Sequence, residues 1–339
     1  MAGELMAAEM SQQAGVASQL MDRREDIVAE LRRALPEGCR GIALVARGSS
    51  DNAALYGRYL LEAATRRPVS FVAPSLLTLY RVPTDYRGWA AIAISQSGET
   101  PEIVSALERL QELGATGIAV TNRPQSPLAS AGRAAIYLGA GEERAVPATK
   151  TFMAQLIAFG FLAEALGEPP ATASQWERVP ESIDRVVGDS GPGEEAAGRI
   201  GDAVGVISVA RGYLFSVALE AALKLKETAD ILAEGFSSAD LRHGPIAVVE
   251  PGFPVISFNA PGPVESDMRE LEDDLRARGA NLLTVGPREG SSLPIPEELP
   301  EELTVIPATV RAQQVARSLA LQRGLDPDRP EGLTKVTRT

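Results

Sequence analysis

A chain of 339 residues, 45% hydrophobic and 23% charged, has room for two ordinary globular domains with ample core. Its formal net charge of −12 opposes binding to nucleic acid or to an anionic membrane, and no apolar run is long enough to span a bilayer. The single cysteine, Cys39, excludes an intrachain disulfide and a cysteine-rich metal site.

The acidic opening, Met1 to Met10, lacks the basic n-region of a secretory signal, so a cytoplasmic location is expected. Residues 1–35 predict helix. Apolar and small residues recur at helical spacing through Met6, Met10, Ala14, Val16 and Leu20, and a more charged stretch runs from Arg23 to Ala34. Pro36 and Gly38 break it. Ile42 to Ala46 is a short apolar run that ends in Arg47, Gly48, Ser49 and Ser50, and a helical segment from Ala53 to Ala64 continues from it. Strand, small-residue loop, helix is the opening of a doubly wound α/β unit.

Further strands are predicted at Pro68–Ala73, Ala90–Ile94, Gly117–Thr121 and Ala134–Leu138. The second of these runs into Ser95, Gln96, Ser97, Gly98, Glu99 and Thr100, then a helix to Leu113. A loop from Gly141 to Lys150 leads into an apolar helix from Phe152 to Leu166. Residues 169–195, rich in proline, glycine and acids with helical pieces, read as a linker.

The second half echoes the first. Val206–Gly212 repeats Ile42–Gly48 at an offset of 164 residues, and the same offset carries Ala91–Gly98 onto Val255–Gly262 and Gly117–Thr121 onto Asn281–Val285. Three coincidences at one offset imply two tandem α/β domains of one fold, each a doubly wound, flavodoxin-like parallel sheet. The expected organisation is N-terminal helices over 1–35, a first domain over 36–168, the linker over 169–195, a second domain over 196–325 and a tail over 326–339. The copies differ informatively. Only the first keeps the hydroxyl-rich loops; the second has Gly212-Tyr-Leu and Asn259-Ala-Pro-Gly there, and gains Ala218-Leu-Glu-Ala-Ala-Leu-Lys-Leu-Lys-Glu-Thr228. One domain is expected to bind and the other to supply chemical groups.

Ser95 to Thr100 follows a strand and opens a helix, where hydroxyls, N–H groups and the helix dipole converge on an anion. A plain helix cap is the alternative. The neighbouring Gly48-Ser-Ser loop favours phosphate, because ligands sit at the carboxyl ends of such strands. In a chain of this charge a phosphate has to be held by such local groups. Glu220, Lys224 and Glu227 share one helical face at i, i+4 and i+7. They form either a solvated ion-pair stripe or, given the apolar residues around them, a partly buried group able to move a proton between adjacent carbons. The only histidine, His243, lies in a turn-like Arg-His-Gly-Pro stretch, suited to function or to packing. Only four of the 33 basic residues are lysines: Lys150, Lys224, Lys226 and Lys335. A lysine, unlike an arginine, can deprotonate and form a Schiff base.

These residues together resemble the sugar isomerase (SIS) superfamily, and within it the isomerase half of the glutamine–fructose-6-phosphate aminotransferases. The resemblance runs from about residue 6 to the C-terminus. Its most specific blocks are Ser95–Thr100, Ala218–Glu227, Leu241–Pro245 and Asp326–Pro330 with Leu333–Lys335. It implies that Ser50, Ser95, Gln96, Ser97 and Thr100 bind the sugar phosphate, with Ser49 and the Val146 backbone facing the sugar. It implies that Lys335 forms a Schiff base with the ketose and that Glu227 moves the proton between C1 and C2. His243 would open the sugar ring from the partner subunit of a homodimer, and Lys224 would assist at the amine. Lys150 would order its loop, in which Ala148 replaces an expected serine. The resemblance does not extend to the family's glutaminase nucleophile, an N-terminal cysteine, so ammonia from glutamine is not expected by that route.

The function these readings lead to is an aminosugar-phosphate deaminase/isomerase, converting glucosamine 6-phosphate to fructose 6-phosphate and ammonia. No metal or redox cofactor is expected, since the amine serves as electron sink. Two related activities use the same groups: a fructosamine-6-phosphate deglycase, and a glutaminase-less aminotransferase/isomerase working in the synthetic direction. A non-catalytic sugar-phosphate sensor is the alternative of another class. It would need the serine loops but not Glu227, His243 and Lys335 together.

Overall fold

The computed structural model describes residues 1–36, 38–297 and 299–335, so the end of the expected tail, 336–339, lies outside the described residues. The chain begins with three helices, α1 (Glu4–Ser11), α2 (Gln13–Asp22) and α3 (Arg24–Ala34). It divides into two compact units. One comprises Gly15–Glu143 and Lys150–Thr172; the other comprises Met1–Ala14, Arg144–Thr149 and Ala173–Lys335.

The first unit is built on β1 (Gly41–Val45), α4 (Ser49–Thr65), β2 (Val69–Phe71), α5 (Pro74–Thr78), β3 (Trp89–Ile94), α6 (Pro101–Glu112), β4 (Thr116–Thr121), α7 (Pro127–Ala131), β5 (Ala134–Tyr137) and α8 (Lys150–Leu166). The strands form one parallel sheet in the order β2-β1-β3-β4-β5. Every residue of β1 is buried, as are five of the six in β3 and in β4. That is why these strands read as continuous apolar runs: helices cover both faces of such a sheet. Ala43, Val45, Ala91 and Ala93 pack on Ile103, Leu107 and Leu110 of α6. Helices α4 and α8 lie against each other, and the approach is close enough that a Cβ at Gly57 would overlap the Phe159 ring.

The second unit continues through α9 (Ala173–Trp176), α10 (Val179–Val187), α11 (Gly191–Ile200), β6 (Gly205–Ala210), α12 (Phe215–Ala229), β7 (Leu232–Ser237), α13 (Ser238–Arg242), β8 (Pro254–Phe258), α14 (Glu265–Ala277), β9 (Asn281–Gly286), β10 (Leu293–Pro294) and α15 (Glu301–Gln322). Its parallel sheet has the order β10-β9-β8-β6-β7. Counted from each unit's first strand, both sheets run 2-1-3-4-5, so the repeat at 164 residues is a repeat of topology. Helix α15 is buried along most of its length and packs against α10, α11 and α12. Met268, Leu271 and Leu275 of α14 close a core with Ile207, Val209 and Val255.

In each sheet the order reverses between the first and third strands. The carboxyl ends of those two strands form the crevice where doubly wound folds hold ligands. Among the described residues no helix is long and apolar enough to cross a membrane.

Candidate active site

In the first unit the reversal falls between β1 and β3, whose register pairs Val45 with Ala93. The loops Gly48–Ser50 and Ser95–Thr100 therefore leave neighbouring strands at the same end. Gly48 has φ 59° and ψ −135° and starts α4. Ser50, buried in the first turn of α4, accepts a hydrogen bond from the Gln155 amide of α8 at 3.0 Å. The Ser95 loop is a tight turn. The Gly98 N–H donates to Ser95 Oγ at 3.1 Å, the Glu99 N–H to Ser97 Oγ at 3.2 Å, and Ser95 Oγ lies 3.4 Å from Thr100 Oγ1. Gly98 has φ 63°, and a Cβ there would meet Thr121 Oγ1 at 2.8 Å and clash with Ser126. The Gln96 carbonyl accepts from the Asn122 N–H at 3.1 Å. Thr100 precedes α6, with Pro101 at its first position, so the turn abuts a helix N-terminus. The structure thus gathers Ser95, Gln96, Ser97 and Thr100 into one tight turn, leaving the neighbouring strand at the same end as the loop carrying Ser49 and Ser50. Lys150 is buried and its Nζ donates to the Glu142 carbonyl at 2.6 Å, tying the start of α8 to the preceding loop.

In the second unit, Glu220, Lys224 and Glu227 stand on one face of α12. The Lys224 ammonium is fully buried; it lies 3.4 Å from Glu220 Oε1 and donates to Glu227 Oε2. Burial alone pushes this lysine down, but the two carboxylates outweigh that effect and hold it above its ordinary value. The solvated-stripe alternative therefore does not describe α12. The Glu220 side chain is 1% exposed and that of Glu227 is 23% exposed, so Glu227 is the carboxylate of this group that reaches outward.

His243 caps the C-terminus of α13, where its N–H donates to the Ala239 and Asp240 carbonyls. Its residue is exposed, and among the described residues no hydrogen bond or ion pair joins its imidazole to Lys224 or Glu227. The α13 turn is anchored by Asp267 of α14. That carboxylate is paired with Arg242 at 2.8 Å and Arg211 at 3.4 Å and accepts from Ser238. Burial would raise Asp267, but Ser238, Arg242 and Arg211 overcome it and hold the carboxyl below its usual range.

The Val146 N–H donates to the Asp328 carbonyl at 3.0 Å, so that N–H is already committed. The segment around it is held on both sides. Glu9 of α1 accepts from the Arg144 and Ala145 N–H groups, and Gln313 of α15 donates to the Thr149 carbonyl. Lys335, half-buried, is the last described residue of the tail. Glu9 and Asp267 were not expected from sequence, and Asp328 stood out there only as part of the Asp326–Pro330 block, with no role assigned. Their partners are mostly backbone N–H groups or residues far along the chain, which leave no local spacing to read.

The second sheet has its own reversal between β6 and β8, and a side chain fills it. Glu301, the first residue of α15, is buried against Gly212 and Gly262, the glycines that the 164-residue offset sets opposite Gly48 and Gly98. Burial, and then the charge of Glu302, push its carboxyl up to about 7. A carboxyl side chain thus occupies the place where the first unit has its hydroxyl loops. A separate cavity of about 380 Å³, bordered by Asn259, Thr284 and Arg276 at the ends of β8 and β9, contains none of the expected site residues.

The sequence pattern of the SIS domain matches residues 38–165 and 202–294. The chain is 33% identical over 302 residues to the isomerizing glutamine–fructose-6-phosphate aminotransferase of Methanothermobacter thermautotrophicus, covering 87% of this chain and 51% of that protein. The same enzyme of Mycobacterium tuberculosis is 34% identical over 319 residues, with coverages of 87% and 50%. The chain spans about half the length of the curated relatives it matches. Among solved structures, a Silicibacter pomeroyi protein classed as a phosphosugar isomerase superposes with a TM-score of 0.85 at 30% identity, over 97% of this chain and 100% of that one. A glucosamine-6-phosphate deaminase from Thermotoga maritima shares the fold, with a TM-score of 0.80 at 23% identity over 98% and 99% of the two chains.

Proposed function

Because the chain belongs to the SIS-domain family of sugar-phosphate isomerases, we propose that it is an aminosugar-phosphate deaminase/isomerase acting on glucosamine 6-phosphate. The observation that carries this reading is the buried Glu220–Lys224–Glu227 group. An ammonium locked between two carboxylates, one of which reaches outward, is costly to bury and serves proton transfer better than stability. The turn of Ser95, Gln96, Ser97 and Thr100, with Ser49 and Ser50, supports the phosphate-binding role. It offers hydroxyls at a helix N-terminus in a chain whose net charge gives an anion no other help.

In the proposed sequence His243, supplied by a second copy of the chain, protonates the ring oxygen and opens the sugar. Its exposure in the single chain supports that arrangement and a homodimer. Glu227 removes the proton from C2 and returns it to C1, through a cis-enolamine, leaving an iminium at C2. Lys224, which donates to Glu227 Oε2, holds that carboxyl group in place for the transfer. The Lys335 amine adds at C2 and ammonia departs. Water then hydrolyses the lysyl ketimine, releasing fructose 6-phosphate and the free lysine.

The deciding experiment measures ammonia release from glucosamine 6-phosphate by the wild type and by Glu227→Gln. The wild type is expected to release ammonia, and the variant to lose on the order of 10²- to 10⁴-fold in turnover while still binding the sugar phosphate. A silent wild type that binds the sugar phosphate tightly would replace deamination with release of another amine, or with sensing.

A further inference from the structure

Helix α1 begins at Gly3, which has φ 73° and no side chain with which to cap the helix. The cap comes from the far end of the chain. Asp328, 4% exposed, accepts the Leu5 N–H on Oδ2 at 3.0 Å and the Met6 N–H on Oδ1 at 2.8 Å. These are the second and third residues of the helix, the positions an N-cap side chain ordinarily serves. Asp326 Oδ1 accepts the Gly3 N–H at 3.2 Å and the Asp328 N–H at 3.0 Å. The glycine is needed for this approach: a Cβ on Gly3 would come 3.1 Å from Pro327 Cγ. The Asp328 carbonyl also accepts the Val146 N–H. One residue therefore joins three separate segments: α1, the Arg144–Thr149 strip, and the tail that leads to Lys335.

We propose that Asp328 is a positioning residue that fixes both the Lys335-bearing tail and the Val146 strip through its cap on α1. A carboxylate suits the task, because both acceptors face N–H donors at the positive end of a helix. An asparagine has the same shape but would turn an NH₂ donor toward one of those N–H groups, so it breaks one half of the joint. The effect on turnover rests on the deaminase/isomerase reading above; the effect on the tail's order does not.

The test compares Asp328→Asn and Asp328→Ala with Arg317→Ala. Arg317 Nε donates to the Gly3 carbonyl at 2.9 Å, so its loss loosens the same end of α1 without touching the cap. Two readouts are taken. Hydrogen exchange of residues 329–335 and 144–149 is expected to quicken in both Asp328 variants, more in the alanine, and to remain near wild type in Arg317→Ala. Turnover of glucosamine 6-phosphate is expected to fall by about 10- to 100-fold in Asp328→Asn with KM nearly unchanged. Reductive trapping of fructose 6-phosphate on Lys335 with borohydride should fall in parallel. Unchanged exchange in the tail overturns the proposal, as does equal loss of turnover in Arg317→Ala at equal melting temperature. Quickened exchange together with no trapping even in the wild type leaves Asp328 as a positioning residue and removes the Schiff-base role of Lys335.

Discussion

Lys224 shows how sharply a buried charge depends on its neighbours. Replacing it with methionine keeps the volume but leaves Glu220 and Glu227 facing each other without a cation. We expect Lys224→Met to lower the free energy of urea unfolding by roughly 3–5 kcal/mol, the usual cost of removing one partner from a buried pair. A loss within error of zero would mean that the group is open to water. Glu301 is the converse case, a buried carboxyl favouring its neutral form. Its folded pKa of about 7 exceeds the ordinary 4.5, so the folded chain retains a proton that the unfolded chain has released. The stability this proton confers is complete below pH 4.5 and is lost as pH rises to about 7. Glu301→Gln should flatten that part of the melting-temperature profile and melt higher than wild type at pH 8; an unaltered slope would clear Glu301 of the effect. Lys224 was legible from its spacing, since i, i+4 and i+7 on one helix is a local relation. Glu301 was not, because its surroundings, Gly212 and Gly262, come from loops distant in sequence.

Among the elements, the strands that line the two reversals were legible as continuous apolar runs. β7 and β10 were not. Leu232-Ala-Glu-Gly-Phe-Ser237 is an edge strand with mixed exposure, and β10 is only two residues long, so neither carries a clear hydrophobic period. The helix pair α4–α8 shows how an element positions a single atom. Gly57 lets α8 approach, and α8 carries the Gln155 amide to Ser50. Gly57→Ala should destabilise the fold by about 1–3 kcal/mol through overpacking against Phe159. It should also weaken sugar-phosphate binding, read by calorimetry, because the displaced α8 withdraws Gln155. Binding at wild-type strength in a measurably less stable variant would show that Ser50 does not depend on this helix.

For the whole molecule, the 164-residue repeat predicted two sheets of one topology, and both sheets have the order 2-1-3-4-5. The offset holds from β1 to β4 and fails at the fifth strand. β5 begins at Ala134, which the offset would carry to Glu298, whereas β10 is Leu293–Pro294. The joint between α1 and the tail was beyond any local pattern, because Asp328 and Met6 are 322 residues apart. That separation bears on the order of assembly. Closing so long a loop costs more entropy than pairing neighbouring strands, and non-local contacts wait until others have shortened the path. The joint is consequently expected to form late. A chain caught midway in folding can have complete sheets and apolar cores while its final segment still wanders, so recovery of secondary structure on renaturation is a poor gauge of recovered competence.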